Sequence, residues 1–283
     1  MLKFRLPSGI FMGLIVLGSI FLQNNIAIIL FLIIGIFLAF SGVYEYLTML
    51  ESLKLKSYKK FTSLLAAVLL SITVLNVPIE VFVAILSATV FIAWFMFVTG
   101  EDKKLLIIKT VTSVSALPML VLPLFFLARI YTGNFNENPG KYYFLFLIII
   151  TKIGDIGAYT VGMTSSKIMK NGNHKILPKI SPKKSWEGTI GGLFFSITAS
   201  IMFCSFYPSI IPTSMNKYMF SIIAGLLLFI GGFIGDLTES ALKRACEVKD
   251  SGKIIPGMGG ALDVIDSLLL NAPLFYVFII FTV

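Results

Sequence analysis

The sequence carries little charge for its length. Only 13% of its 283 residues are Asp, Glu, Lys or Arg, whereas 57% are hydrophobic. A soluble domain usually has about 25% charged residues, so this chain has too few polar groups to cover a water-exposed surface. No long hydrophilic block interrupts the apolar runs, so we expect no separate soluble domain. The composition predicts one membrane domain over 1–283, with N-terminal helices over 1–140 and the main polar loops within 141–283.

Cysteine and histidine are also scarce. Cys204 lies in an apolar run and Cys246 in a basic loop, a pair that indicates neither a disulfide framework nor a zinc site. His174 is the only histidine, which excludes a histidine-rich metal site. The net charge of +9 does not predict nucleic-acid binding, because the basic residues lie between apolar segments. Anionic lipid headgroups and phosphate-bearing ligands are the natural partners there.

Nine apolar segments are candidates for membrane spans. A helix needs about 20 apolar residues to cross the bilayer core, and lipid favours helices because every backbone polar group must be satisfied internally. Nothing alternates with the period of two that a barrel requires, so we predict an all-α polytopic protein. The first segment could instead be a cleaved signal peptide, although no A-x-A-like site follows it. The segments are 6–22, 25–43, 62–78, 80–99, 111–131, 142–162, 188–207, 218–235 and 262–283.

Lysine and arginine predict the orientation of these spans. Cytoplasmic loops carry an excess of both residues, and nine spans with a cytoplasmic N-terminus place 19 of the 23 basic residues on that side. We therefore expect an integral membrane protein whose polar site faces the cytoplasm. The 19 residues are Lys3, Arg5, Lys54, Lys56, Lys59, Lys60, Lys103, Lys104, Lys109, Lys167, Lys170, Lys175, Lys179, Lys183, Lys184, Lys243, Arg244, Lys249 and Lys253.

Polar residues interrupt the sixth apolar segment. Lys152, Asp155 and Tyr159 are spaced so that all three share one helical face. A Lys or Asp at mid-membrane costs about 2.5–3.5 kcal/mol on insertion scales, so such residues normally face a polar cavity or a partner. Lys152 and Asp155 could simply neutralise each other. They could also form the ion path of a transporter, but the inverted repeats and broken helices of that class are not evident.

A basic loop follows this segment and contains the run Ser181-Pro-Lys-Lys-Ser-Trp-Glu-Gly188. Its lysine content alone indicates a cytoplasmic loop near anionic lipid. The run also combines a turn set by Pro182, the adjacent Lys183 and Lys184, and a hydroxyl near the start of a helix. Lysine and helix N-termini are both good partners for phosphate, so the run also favours a phosphate-binding function.

Carboxylates gather at two helix ends further along the chain. Asp236 and Glu239 lie three residues apart, as do Asp263 and Asp266, so each pair shares a helical face. Carboxylates this close repel one another unless a cation joins them, and Mg²⁺ is the usual ion where substrate phosphates supply further oxygens. The glycines at 257, 259 and 260 would let the backbone approach a phosphate. This combination predicts a metal, nucleotide and phosphate site.

The same stretch resembles the signature of phosphatidate cytidylyltransferases, also called CDP-diacylglycerol synthases. That signature reads Ser-x-x-Lys-Arg, four residues, Lys-Asp, a spacer, Pro-x-His-Gly-Gly and Asp-Arg-x-Asp. Met258 and Val264 stand where the family has His and usually Arg, so we expect either lower activity or rearranged phosphate contacts. The Ser181–Gly188 run and the Asp155 region look like the family's upstream motifs. The matching positions are Ser240, Lys243, Arg244, Lys249, Asp250, Pro256, Gly259, Gly260, Asp263 and Asp266.

The resemblance implies an enzyme that transfers a cytidylyl group from CTP to phosphatidic acid, giving CDP-diacylglycerol and pyrophosphate. Mg²⁺ is the expected cofactor, with a second cation allowed, and membrane lipid is the surrounding partner. We allow for a homodimer and expect no nucleic-acid partner. The alternatives are the transporter and another lipid-phosphate transferase, such as a polyprenol kinase. A CDP-alcohol phosphotransferase is disfavoured, because Asp266 is followed by Ser-Leu and not by that family's motif.

The expected site residues fall into three groups. Metal ligands are Asp236, Asp263 and Asp266. Catalytic residues are Asp236, Asp263, Lys243 and Asp250. Substrate-binding residues are Lys152, Asp155, Ser181, Lys183, Lys184, Arg244, Lys249, Gly259 and Gly260.

Overall fold

The computed structural model describes residues 2–135, 137–169 and 172–282, and most of them are helical, as predicted. Lys170, one of the residues counted for the orientation, lies outside the described residues. A π-helical turn over Leu117–Val121 joins α5 to α6, and a 3-10 turn over Pro208–Ile210 follows α8. The helices are α1 (Leu2–Phe21), α2 (Asn24–Ser52), α3 (Lys59–Val74), α4 (Ile79–Thr99), α5 (Lys103–Val114), α6 (Leu122–Thr132), α7 (Gly140–Ile168), α8 (Trp186–Phe206), α9 (Lys217–Ala245) and α10 (Ala261–Thr282).

Within the described ranges, seven helical segments are long and apolar enough to cross a membrane, so the chain is an integral membrane protein. The predicted segment at 62–78 corresponds to α3, which has 16 residues, and the apolar part of α1 covers Pro7–Phe21. The nine-span count and the cytoplasmic N-terminus stay predictions. The seven segments are Asn25–Ser52, Glu80–Thr99, Lys103–Thr132, Gly140–Ile168, Trp186–Phe206, Lys217–Ala245 and Ala261–Thr282.

Three helices extend well beyond their apolar segments. Each of α2, α7 and α9 has 29 residues, or roughly 43 Å at 1.5 Å per residue, which exceeds the roughly 30 Å hydrocarbon core. The added end of α9 reads Glu-Ser-Ala-Leu-Lys-Arg-Ala, and most of these residue types form helices well. Hydropathy therefore locates the apolar part of α9 but not its end, where several candidate site residues lie.

The chain forms two compact units. The first consists of Met1–Ala128 and Cys246–Val264. In this unit α2 packs against α1 and α3. Ala39, Val43 and Leu47 are fully buried at four-residue spacing, which is the buried stripe expected of a packed helix.

The second unit consists of Arg129–Ala245 and Ile265–Val283, and its core is aromatic. The ring of Phe146 on α7 lies 6.0 Å from that of Phe220 on α9 and 5.4 Å from that of Phe275 on α10. Small residues bring α7 and α8 together: a Cβ atom at Gly192 would lie 2.8 Å from the Gly154 carbonyl oxygen. These contacts pack α7 against α8, α9 and α10 in this unit.

A short hairpin leads into α8 in the second unit. Strand β3 (Lys175–Leu177) pairs antiparallel with β4 (Ser181–Ser185). The Ser185 hydroxyl then caps α8 by accepting a hydrogen bond from the Gly188 amide at 3.2 Å. A second two-stranded pair, β1 (Asn134–Phe135) with β2 (Asn138–Pro139), lies between α6 and α7.

Candidate active site

Three carboxylates meet where α9 and α10 run side by side in the second unit. One oxygen from each of Asp236, Glu239 and Asp266 lies within 4.8 Å of the others. A Cβ atom at Gly235 would lie 2.6 Å from the Asp266 carbonyl oxygen, so only glycine allows the two helices this approach. Glu239 is buried, whereas Asp236 and Asp266 are half-buried. We call these three residues the acidic cluster.

Two lysines adjoin the acidic cluster. The Lys184 ammonium lies 2.9 Å from Asp236 Oδ2 and 4.3 Å from the centre of the Phe233 ring. The Lys243 ammonium lies 2.5 Å from Glu239 Oε2, one helical turn away. Both lysine side chains are at most 16% exposed, so their charges act close to the carboxylates with little screening by water. The two lysines could therefore bind an anion, such as a substrate phosphate, next to a cation held by the acidic cluster.

The polar residues of the sixth apolar segment contact α10 in the same unit. Lys152 Nζ donates a hydrogen bond to Ser267 Oγ at 3.0 Å and lies 3.5 Å from Asp155 Oδ2. Ser267 Oγ donates to Asp155 Oδ2 at 3.3 Å, and its amide donates to Asp266 Oδ1 at 2.5 Å. These bonds connect the Lys152 and Asp155 pair to the acidic cluster.

A fully buried amide lies one turn further along α10. Asn271 Nδ2 donates hydrogen bonds to Thr151 Oγ1 on α7 and to the Leu228 carbonyl on α9, both at 2.8 Å. The Asn271 side chain packs so closely on α9 that a Cβ atom at Gly231 would clash with its Oδ1. The Asn271 side chain thus joins α7, α9 and α10 close to the acidic cluster.

Asp263 belongs to the first unit, in the first turn of α10. Its Oδ2 atom accepts hydrogen bonds from the Gly260 amide at 2.7 Å, the Ser251 amide at 3.0 Å and the Ser251 hydroxyl at 2.9 Å. Gly260 is the residue before the helix, and Asp263 is its third helical residue. The bond between them is therefore the one in a capping box that runs from the N-cap amide to the side chain three residues later. The bonds fix the orientation of the carboxylate whatever else it contacts.

A tight turn precedes Asp263. Ile255 and Gly259 form an isolated antiparallel bridge, in which the Ile255 amide donates to the Gly259 carbonyl at 2.9 Å. Gly257 and Gly259 have φ angles of +76° and +105°, which side-chain-bearing residues rarely adopt. The predicted glycines therefore shape the turn, and Gly260 supplies an amide to Asp263.

A second carboxylate touches this loop in the first unit. Glu45 on α2 is 4% exposed, and its Oε2 atom accepts hydrogen bonds from the Leu262 amide at 3.0 Å and the Ser251 hydroxyl at 3.1 Å. Ser251 thus lies between the carboxylates of Glu45 and Asp263. The sequence pattern does not predict a role for Glu45 or Ser251.

The other predicted site residues lie nearer the surface. Ser181 and Lys183 lie on β4, where Lys183 is exposed, and Arg244 Nε donates to the Ile180 carbonyl at 3.4 Å. Lys249 and Asp250 are exposed in the loop between α9 and α10. These positions allow contact with a solvent-borne ligand, and their roles stay predictions.

The acidic cluster has the donor chemistry of a hard-cation site. Carboxylate oxygens are the preferred ligands of such ions, and bound substrate phosphates commonly complete the coordination. The paired lysines balance two of the three carboxylates, so the cluster retains negative charge that a cation would neutralise. The sequence places Glu239 beside Asp236 on one helical face, and the structure makes it the third member of the cluster.

The whole chain matches one family model. The model described as "Cytidylyltransferase family" matches residues 3–282. The signature residues from Ser240 to Asp266 lie within that match.

Curated relatives match about half of the chain. A phosphatidate cytidylyltransferase of Haemophilus influenzae is 37% identical over 155 residues, which is 54% of this chain and 51% of that protein. One of Staphylococcus aureus (strain COL) is 39% identical over 145 residues, 51% of this chain and 52% of that protein. The Escherichia coli K12 protein YnbB, named as uncharacterized, is 42% identical over 144 residues, 51% of this chain and 44% of that protein. The chain spans about half the length of these relatives.

Proposed function

The chain belongs to the cytidylyltransferase family, and we propose that it transfers the cytidylyl group of CTP to phosphatidic acid, giving CDP-diacylglycerol and pyrophosphate. The observation that carries the proposal is the acidic cluster flanked by Lys184 and Lys243 at the polar end of membrane-spanning helices. The names of the relatives from H. influenzae and S. aureus support phosphatidate as the lipid substrate.

The reaction needs positioning more than proton transfer. An anionic oxygen of the phosphatidate phosphate attacks the α-phosphorus of CTP and forms a new P–O–P bond. The bond from the α-phosphorus to the oxygen that bridges to the β-phosphate breaks, and pyrophosphate leaves with that electron pair. Because the nucleophile is already ionised at neutral pH, no general base is required. The protein must bring two polyanions together and stabilise charge on the leaving group.

Asp236 and Asp266 of the acidic cluster are the proposed Mg²⁺ ligands, and Glu239 adds a carboxylate to the cluster. The sequence also predicts Asp263 as a ligand, and that role stays a prediction. When bound, Mg²⁺ would supply positive charge to the phosphates and screen their repulsion. The bonds from Ser251 and Gly260 hold Asp263 in one orientation before any ligand arrives.

The cationic side chains neutralise substrate phosphates in this proposal. Lys184 and Lys243 are held at the acidic cluster, so they can exchange a carboxylate contact for a phosphate contact without crossing open solvent. Lys183, Arg244 and Lys249 are more exposed, which suits the capture of CTP from water. Lys152 would contact the phosphate of the lipid headgroup, and its bonds to Ser267 and Asp155 hold its ammonium in position.

The proposed site faces the cytoplasm from the bacterial inner membrane. The positive-inside bias supports this orientation, because the loops that carry Lys184 and Lys249 fall on the basic side. CTP is a water-soluble substrate, and phosphatidic acid would enter from the adjoining leaflet.

Purified protein in detergent or vesicles tests the proposal. Release of pyrophosphate should require CTP, phosphatidic acid and a divalent cation together, and EDTA should stop it. Pyrophosphate release without phosphatidic acid, or none with all three components present, would contradict the assignment.

A further inference from the structure

A buried carboxylate in the N-terminal half of the chain contacts the signature loop within the first unit. Glu45 lies on α2 and is 4% exposed, yet the bonds to its Oε2 atom come from Ser251 and Leu262, more than 200 positions further along the sequence. Gly252 and Gly260 also pack on this carboxylate, since a Cβ atom at either position would clash with it. The loop is therefore folded around the end of the Glu45 side chain.

A carboxylate at this position carries a cost for the fold. Glu45 Oε1 is buried and has no hydrogen-bond partner among the described residues, which is unfavourable for a polar atom removed from water. An apolar side chain of similar volume would avoid that cost. Such a side chain could not accept the two hydrogen bonds that hold Ser251 and Leu262 in place.

Ser251 transmits the constraint to Asp263. Its hydroxyl lies 3.1 Å from Glu45 Oε2 and 2.9 Å from Asp263 Oδ2, and its amide lies 3.0 Å from the same Asp263 oxygen. A hydroxyl has a single proton to donate, so the two carboxylates share this one donor. Without Glu45, Ser251 and Leu262 would lose their bonds to its carboxylate. The Ser251 backbone, whose amide orients Asp263, could then shift.

We infer that Glu45 is a positioning residue that holds the loop between α9 and α10 and, through Ser251, orients the Asp263 carboxylate for the transfer step. The inference rests on the proposed function for the role of Asp263. It assigns a part in the reaction to the N-terminal half of the chain, where the signature motifs are absent.

Substitutions at Glu45 separate positioning from general packing. Glu45→Gln can keep both accepted hydrogen bonds through its amide oxygen, whereas Glu45→Ala removes them. Glu45→Ala should lower kcat by about 10- to 100-fold and raise the Mg²⁺ concentration needed for half-maximal rate, as expected when a residue supporting a metal ligand is lost. Glu45→Gln should retain most of the activity. Ser251→Ala should also lower kcat, because it removes the hydroxyl that contacts both Glu45 and Asp263.

Glu51→Gln is the matched control. Glu51 lies on the same helix and pairs with Lys59 at 2.6 Å and with Ser57 at 3.1 Å, outside the signature loop. This variant should keep the wild-type rate and the wild-type Mg²⁺ dependence. An equal loss in Glu51→Gln and Glu45→Ala would overturn the inference, because it would reflect a general effect on α2.

Hydrogen exchange provides a readout that does not depend on activity. In metal-free protein without substrates, Glu45→Ala should speed amide exchange in residues 251–262, and Glu45→Gln and Glu51→Gln should not. Unchanged exchange in Glu45→Ala would overturn the inference even if activity fell. If the wild-type protein exchanges as expected but transfers no cytidylyl group, the proposed function fails while the hold of Glu45 on the loop stands.

Discussion

The Lys184 ammonium lies 2.9 Å from Asp236 Oδ2 and stacks over the Phe233 ring, whereas its neighbour Lys183 is exposed. Successive side chains of a strand point to opposite faces, so β4 can direct only one of the two lysines toward α9. The sequence suggested both as phosphate ligands. Their different surroundings make them separable by experiment.

Lys184→Gln should weaken catalysis much more than Lys183→Gln. Loss of this partly buried charge should lower kcat/KM by roughly 10- to 100-fold, or about 1.4–2.7 kcal/mol of transition-state stabilisation. The exposed Lys183 should contribute less, through weaker capture of CTP. Steady-state kinetics of the two variants at matched expression provides the comparison. Equal losses in both would indicate a diffuse basic patch.

Asp236→Asn and Asp266→Asn should each abolish the metal-dependent step while the protein stays folded and inserted. Each change preserves size and removes charge from the acidic cluster. The double variant should be little worse than either single one, since residues that act as a unit are strongly non-additive. Activity measured across a Mg²⁺ titration, with detergent-solubilised thermal unfolding as the folding control, tests this.

The alternative is that Asp236 stabilises the fold through its ion pair with Lys184 and takes no part in the reaction. If Asp236 serves only as the partner of Lys184, its Asn variant should unfold at lower temperature and keep most of its turnover. The same reasoning applies to Asp263, which also caps α10. Asp263→Asn can still accept hydrogen bonds from Ser251 and Gly260, so a folded but inactive variant would favour metal binding over capping.

Asn271→Ala should destabilise the second unit. The substitution removes two buried hydrogen bonds that join α10 to α7 and α9, worth about 1 kcal/mol in a membrane protein. Thermal unfolding in detergent should show a lower midpoint. Ser205→Ala is a suitable control, because the exposed Ser205 hydroxyl bonds to the Ile201 carbonyl within its own helix. Equal midpoints for Asn271→Ala and wild type would contradict the bridging role.

The helical class and much of the acidic cluster follow from the sequence. Apolar runs are sufficient to predict membrane helices, and the three-residue spacing of Asp236 and Glu239 places both on one face of α9. That Asp266 joins them could not be read from spacing, because it depends on how closely α9 approaches α10 at Gly235.

Glu45 could not be found from local pattern. It follows an apolar segment as a single acidic residue, and its bonding partners are more than 200 positions away in the sequence. The ends of the helices were also missed, since hydropathy falls where α2 and α9 leave the apolar region although the helices continue. The distance between two elements depends on tertiary packing, and so does the residue at which a helix ends. A single sequence does not report that packing.

Cysteine labelling tests the predicted orientation. Lys56→Cys and Lys179→Cys should react from the cytoplasmic side and Asn134→Cys from the outside, because the basic loops are expected inside. All three positions are exposed, whereas Phe135 is buried and would label poorly. Native cysteines should give little background, since Cys204 and Cys246 are both buried and burial raises the pKa of the Cys246 thiol. Labelling of Lys56→Cys and Asn134→Cys from the same side would contradict the nine-span arrangement.

The most direct measurement follows the phosphorus atoms of CTP. Purified protein is given phosphatidic acid, Mg²⁺ and CTP labelled with ³²P at either the α or the γ position, and the lipid is then extracted. Cytidylyl transfer predicts that α label enters the lipid, that γ label stays in water as pyrophosphate, and that Asp236→Asn protein moves neither. Entry of γ label into the lipid would show a kinase. Absence of CTP-dependent label from every lipid would contradict the proposed cytidylyl transfer.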